Sequence, residues 1–225
     1  MPYRCLADLD LYESPTSDRL VTQARAGRWL YGGEKQGSRV RVTLAEDDYS
    51  GWINAADWER LILTTEAYEP PQLTRPAIQL RLPLVLHFVI QAMGQPHVYR
   101  WGGTVGPDFD CSGLVQTAFA QAGIWLPRDA YQQEAFVLAI DPSDLQPGDL
   151  VFFGLGERAT HVGIYLGRQQ YIHCSGPEQG RNGIGVDSLG PDRGPIGETY
   201  YRQWRGAGRV MASYQPRTPS AETPG

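Results

Sequence analysis

Three prolines fall within the eight residues Glu69-Pro70-Pro71-Gln72-Leu73-Thr74-Arg75-Pro76, and the segment has no hydrophobic period. Proline lacks the N–H that a helix or sheet ladder needs, so such a stretch reads as a semi-rigid linker rather than part of either. The chain is therefore expected to fold in two pieces, 1–68 and 77–212, joined through 69–76, with a polar, Pro-rich tail at 213–225 expected to be disordered. At 225 residues the chain has room for two small cores.

The first piece alternates short apolar runs with turn residues. Strands are expected at Tyr3–Leu6, Leu9–Tyr12, Leu20–Gln23, Arg28–Tyr31, Arg39–Leu44 and Gly51–Ile53, separated by Ser14-Pro15, Gly32-Gly33, Gln36-Gly37 and the run from Asp47 to Gly51. About sixty residues of closely spaced strands suggest a small all-β barrel. The second piece opens with helices. Pro83 suits a first helical turn, the run Leu84–Met93 stops at Gly94, and a second helix follows Asp110 with Leu114, Val115, Ala118, Phe119 and Ala122 in helical rhythm. Strands are then expected at Leu150–Phe153, His161–Leu166 and Tyr171–Cys174. Helices before antiparallel strands are the α+β pattern.

Charge and cysteine count narrow the function. A formal net charge of −5 supplies no basic field for nucleic acid. The most apolar stretch, Leu82–Met93, is broken by His87 and Gln91 and falls short of the roughly 20 residues a bilayer needs, so it is expected to be a core helix, with no membrane partner. Asp8 and Asp10 interrupt the N-terminus before a signal-peptide core could form, which gives a cytoplasmic expectation. Cys5, Cys111 and Cys174 are odd in number and show no C-x-x-C spacing, which suits reduced thiols.

Chemistry concentrates around Asp110-Cys111-Ser112-Gly113. A cysteine in the first turn of a helix faces unpaired N–H groups and the positive end of the helix dipole, both of which favour thiolate. Cys111 is therefore the candidate nucleophile, with Asp110 as N-cap and Gly113 leaving space for another chain near the sulfur. A nucleophile needs a base. His87 and His97 sit in packing or surface contexts. His161 and His173 lie on successive strands, where an odd loop such as Gly167–Gln169 would set Gly163 opposite His173 and His161 diagonal to it. His161 could then act as base and His173 orient it, in the chain order of papain-like enzymes. A zinc site is disfavoured because residues 173 and 174 point to opposite faces of a strand, and no cofactor is implied.

Five stretches in order, Tyr99-Arg100-Trp101-Gly102-Gly103, Asp110-Cys111-Ser112-Gly113, Leu145 to Phe153, His161 to Tyr165 and Tyr171-Ile172-His173, resemble the NlpC-type cysteine peptidases of bacterial cell-wall peptides. The resemblance covers about residues 77–212, and the first piece resembles the bacterial SH3-type domain that accompanies such enzymes. It implies a papain-like α+β fold, a Cys111–His161–His173 triad, and Tyr99 beside the nucleophile helping to hold the oxyanion. It also implies hydrolysis of the γ-D-glutamyl bond to a diamino acid in murein stem peptides with a free N-terminal L-Ala, as in cell-wall peptide recycling. Substrate contacts are then expected from Asp110, Ser112, Arg128, Asp129, Tyr49 and Glu69, with Arg128 suited to a carboxylate and Asp129 to an ammonium, while Trp101 is expected to plug a turn. The alternatives are a non-hydrolytic wall-peptide module, or an amidase or acyltransferase on the same scaffold.

Overall fold

The computed structural model describes residues 1–217. Its N-terminal part is an antiparallel sheet of seven strands, β1 (Pro2–Cys5), β2 (Leu9–Tyr12), β3 (Leu20–Ala24), β4 (Trp29–Gln36), β5 (Arg39–Leu44), β6 (Ser50–Asn54) and β7 (Leu61–Leu63). They lie in the order β3-β2-β6-β5-β4-β1-β7. Alternation explains the packing: Val40, Val42 and Leu44 of β5 turn inward onto Leu9, Leu11, Leu30 and Ile53, while Arg41 between them is exposed. The fold is SH3-like, but no ladder joins β3 to β7, so the sheet surrounds its core without closing as the expected barrel would.

The C-terminal part has four helices, α1 (Arg75–Met93), α2 (Cys111–Gln121), α3 (Ala130–Phe136) and α4 (Gly194–Tyr201). Its six strands are β8 (Leu138–Ile140), β9 (Leu150–Phe153), β10 (His161–Gly167), β11 (Gln170–Ser175), β12 (Gly183–Ser188) and β13 (Trp204–Arg209). The sheet is antiparallel in the order β12-β11-β10-β9-β13-β8. Ile78, Leu82, Val85 and Val89 of α1 and Leu114, Val115, Ala118 and Phe119 of α2 cover one face, over Val162, Ile164 and Ile172. Each of these Val, Leu, Ile and Phe side chains contributes about 1.5–3 kcal/mol. On the other face Val151, Phe153, Tyr165 and Tyr171 pack with Tyr200 of α4. This is the α+β arrangement expected, with β8, β12, β13, α3 and α4 added, as β7 is added to the N-terminal sheet.

Three local expectations are corrected. Helix α1 starts at Arg75, so Pro76 takes the first-turn position and Pro83 stands inside the helix. Proline at an exposed interior position is tolerated because the flanking leucine and valines are packed, and the helix runs to 19 residues, long and apolar enough by length and composition alone to cross a membrane. The β10–β11 connection is a two-residue turn at Arg168 (φ 51°) and Gln169 (φ 62°), not a three-residue loop. A bulge between Tyr165 and Gly167 supplies the extra residue, so Ile164 pairs with Ile172 and the anticipated parity is kept. Finally, part of the tail is docked: the Tyr214 hydroxyl donates to Asp48 at 3.2 Å, and its ring meets Phe136 at 5.7 Å. The rest of that segment, 218–225, lies outside the described residues.

The two sheets are tied together around α2. Gln23 and Thr104 exchange backbone and side-chain hydrogen bonds at 2.9–3.1 Å, Gln116 donates to Asp47 at 2.8 Å, and Arg128 donates to Thr22 Oγ1 at 3.0 Å. These buried contacts hold the N-terminal sheet against the residues that flank Cys111.

Candidate active site

Cys111 is the first residue of α2. Asp110 caps the helix as expected, accepting from the Gly113 N–H at 2.7 Å and the Gly102 N–H at 2.8 Å. The chain that the absence of a side chain at Gly113 admits is the protein's own Gly103 carbonyl. The thiol is 7% exposed and lies against the N–H groups of Ser112 and Val162, which favour thiolate. Burial outweighs them, and with the Asp110 carboxylate nearby the thiol is pushed up to about 12. The expected depression by the helix terminus is therefore opposed by burial.

His161 begins β10, where the strand end meets the α2 terminus. Its Nε2 is 2.7 Å from His173 Nδ1, the diagonal neighbour on β11. Gly163 makes that approach possible: a Cβ there would lie 2.9 Å from Tyr171 Cδ2 and 3.2 Å from His173 Cβ. The ring of Tyr200 stacks on His161 with centroids 4.2 Å apart. Desolvation in this aromatic setting holds His161 well below the ordinary histidine value, with His173 adding to the effect, which favours the neutral imidazole. Cys174, on the opposite face of β11, donates to the Phe109 carbonyl at 3.0 Å and takes no part.

Cys111 and His161 open into a cleft of about 600 Å³ between the two sheets. Tyr99, held beside Cys111 by pairing with Phe109, lines it together with Tyr49 and Asp129. Burial pushes the Asp129 carboxyl up, and Arg128 opposes that. Arg128, Asp110 and Ser112 also border the cleft, but Arg128 is 1% exposed and its donors are occupied by Asp110 (2.6 and 3.2 Å), Ser112 (2.8 Å) and Thr22. It is a brace between the sheets, with four of its five N–H donors already taken by the protein itself. Glu69 is exposed and does not line the cleft. Trp101 is no plug: it is 55% exposed, at the cleft rim under the Arg19 guanidinium at 4.9 Å.

The cleft also contains residues that pattern reasoning missed. Arg158, over the Tyr131 ring at 4.6 Å, forms no ion pair among the described residues. Its only sequence signal is its place in the loop just before His161. Glu13 and Arg19, paired at 3.2 Å, come from the loop joining β2 to β3, and Glu178 from the turn after β11. Behind His173, Asp187 of β12 lies 2.7 Å from its Nε2.

Comparison with known proteins finds relatives of both parts. The NlpC/P60 family model matches residues 94–201, and the bacterial dipeptidyl-peptidase Sh3 domain model matches residues 11–57. A probable endopeptidase p60 from Listeria seeligeri is 43% identical over 103 residues, 44% of this chain and 19% of that protein. The bifunctional muramidase/DL-endopeptidase CwlT of Bacillus subtilis is 49% identical over 96 residues, 40% of this chain and 28% of that protein. The chain thus spans 19–28% of the length of these relatives. The crystal structure of an NlpC/P60 family protein from Bacillus cereus superposes with a TM-score of 0.71 at 18% identity, covering 94% of this chain and all of that one, which establishes a shared fold. Residues 94–201 belong to the NlpC/P60 family, and residues 11–57 ahead of them are a bacterial Sh3 domain of the dipeptidyl-peptidase type.

Proposed function

We propose that the protein is a cysteine endopeptidase that hydrolyses the γ-D-glutamyl bond to the diamino acid in murein stem peptides with a free N-terminal L-Ala. The observation that carries this reading is a thiol and an imidazole opening into a cleft also lined by Glu13, Arg19 and Tyr49 from the loops of the N-terminal part. Such a lining favours the end of a short peptide over the middle of a polymer. Asp129 and Tyr49 offer acceptors for an N-terminal ammonium, and Arg158 offers the cation for the free α-carboxylate of D-Glu. Peptides of this kind arise when wall material is broken down, so the reaction suits recycling.

In this mechanism the Cys111 proton passes to His161 as sulfur attacks the γ-carbonyl carbon. Negative charge gathers on the carbonyl oxygen, next to the Cys111 backbone N–H and Tyr99. Collapse of the adduct breaks the C–N bond, and His161 returns the proton to the departing amine. Water, deprotonated by His161, then cleaves the thioester and regenerates the thiol.

The test is incubation with free L-Ala-γ-D-Glu-diamino acid peptide, its N-acetylated form and intact sacculi, followed by mass spectrometry. The free peptide is expected to be cut, with the acetylated form at least about tenfold slower. Cys111→Ala should abolish turnover and leave the circular dichroism unchanged. Equal cleavage of the acetylated peptide, or cleavage of sacculi alone, overturns the reading.

A further inference from the structure

The line of imidazoles behind Cys111 ends on a carboxylate. His173 is fully buried, and its Nε2 lies 2.7 Å from Asp187 Oδ2. The same oxygen accepts from Arg181 Nη2 at 2.7 Å. Strand pairing produces this contact: β12 sets Gly185 opposite His173 and Asp187 opposite Tyr171, so the carboxylate reaches diagonally to the imidazole. Gly185 is part of the device, because the Arg181 guanidinium lies where a Cβ on that residue would be.

Donor and acceptor rules then fix every proton in the row. A carboxylate clamped by a guanidinium can only accept, so His173 carries its proton on Nε2. Burial keeps His173 neutral, with one N–H, which makes its Nδ1 an acceptor. The partner of Nδ1 at 2.7 Å is His161 Nε2, which must therefore donate. His161, also neutral, is left with a bare Nδ1, the nitrogen not engaged by His173. Without Asp187, His173 could carry its proton on Nδ1 instead, forcing His161 to accept at Nε2 and to hold a proton at the nitrogen that must be free.

We infer that Asp187, held by Arg181, is a positioning residue that sets the tautomer of the base His161 through His173. When His161 takes the thiol proton, the positive charge that forms is also shared toward the Asp187 carboxylate through His173. The inference rests on the reading of Cys111 and His161 as nucleophile and base. Its mark is a proton position, which can be seen without any substrate.

Long-range proton–nitrogen correlation spectra of the full, nitrogen-15-labelled chain near neutral pH read those positions directly. Both His161 and His173 are expected as Nε2–H tautomers. In Asp187→Ala the His173 signal should move toward the Nδ1–H form. On the stem peptide, kcat should fall about 10- to 100-fold, less than the about 10⁴-fold that follows loss of a directly bonded orienting carboxylate, while KM changes by less than about threefold. Asp187→Asn, whose amide oxygen can still accept from His173, should keep the tautomers and recover part of kcat. If Asp187→Ala fails to fold, the wild-type spectrum and Asp187→Asn decide. A proton on Nδ1 of His161 in the wild type, or Asp187→Ala with both tautomers and kcat retained, overturns the inference. If the tautomers are as expected but no stem peptide is cleaved, the substrate reading alone fails.

Discussion

Replacing Arg128 by methionine tests what the buried brace contributes, because it keeps an unbranched apolar stem and removes the guanidinium with its charge and its hydrogen bonds. Arg128 is 1% exposed and gives four hydrogen bonds, two to Asp110, one to Ser112 and one to Thr22 of the N-terminal sheet. Removing one partner of a buried ion pair costs about 3–5 kcal/mol, since the remaining charge is left without its counterion. Asp110 would still accept from the Gly113 and Gly102 N–H groups, so the lower half of that range is expected. Urea unfolding followed by circular dichroism measures the loss as a drop in the midpoint at constant slope. Asp110→Asn in the same background removes the stranded charge, so the double variant should be more stable than Arg128→Met alone, with a coupling of at least about 1 kcal/mol. A loss below about 1 kcal/mol, or no coupling, would show that the pair is not what holds the two sheets at the nucleophile.

His161 is held below the ordinary histidine value, so below about pH 6.5 the unfolded chain binds a proton that the folded protein resists. Stability should therefore fall as pH drops through that value, a dependence that His161→Phe should reduce in urea titrations, and the acid limb of kcat/KM should lie below 6.5. Gly163→Ala places a methyl group 2.9 Å from Tyr171 Cδ2 and 3.2 Å from His173 Cβ. Overpacking of this kind costs about 1–3 kcal/mol and should separate the two imidazoles, so kcat should fall more than thermal stability suggests. Asp129→Asn should lower kcat/KM for the free-amine peptide about tenfold and leave the acetylated peptide nearly unchanged, which competition between the two substrates would reveal.

What the sequence makes legible follows the range over which each signal acts. Cys111 and Asp110 were legible because capping is local: the capping oxygen and the N–H it serves are three residues apart. The meeting of His161 and His173 was legible through parity, since a hairpin converts loop count into register, and a bulge replaced the extra loop residue without changing the outcome. Asp187 was not legible. Its strand follows a glycine-rich turn, and its meaning arises only when β12 pairs with β11. Charged residues show the same division most sharply. Arg128 and Arg158 are equally basic in sequence, yet the fold gives Arg128 carboxylate, hydroxyl and burial together, while Arg158 gets an aromatic ring and an open cleft. A guanidinium's role depends on how many of its five donors the protein itself occupies, and that number is set by long-range packing. Residue type can therefore nominate a cation for a carboxylate, but only burial and the donors the protein already occupies separate Arg128, 1% exposed with four bonds made, from Arg158 in the open cleft.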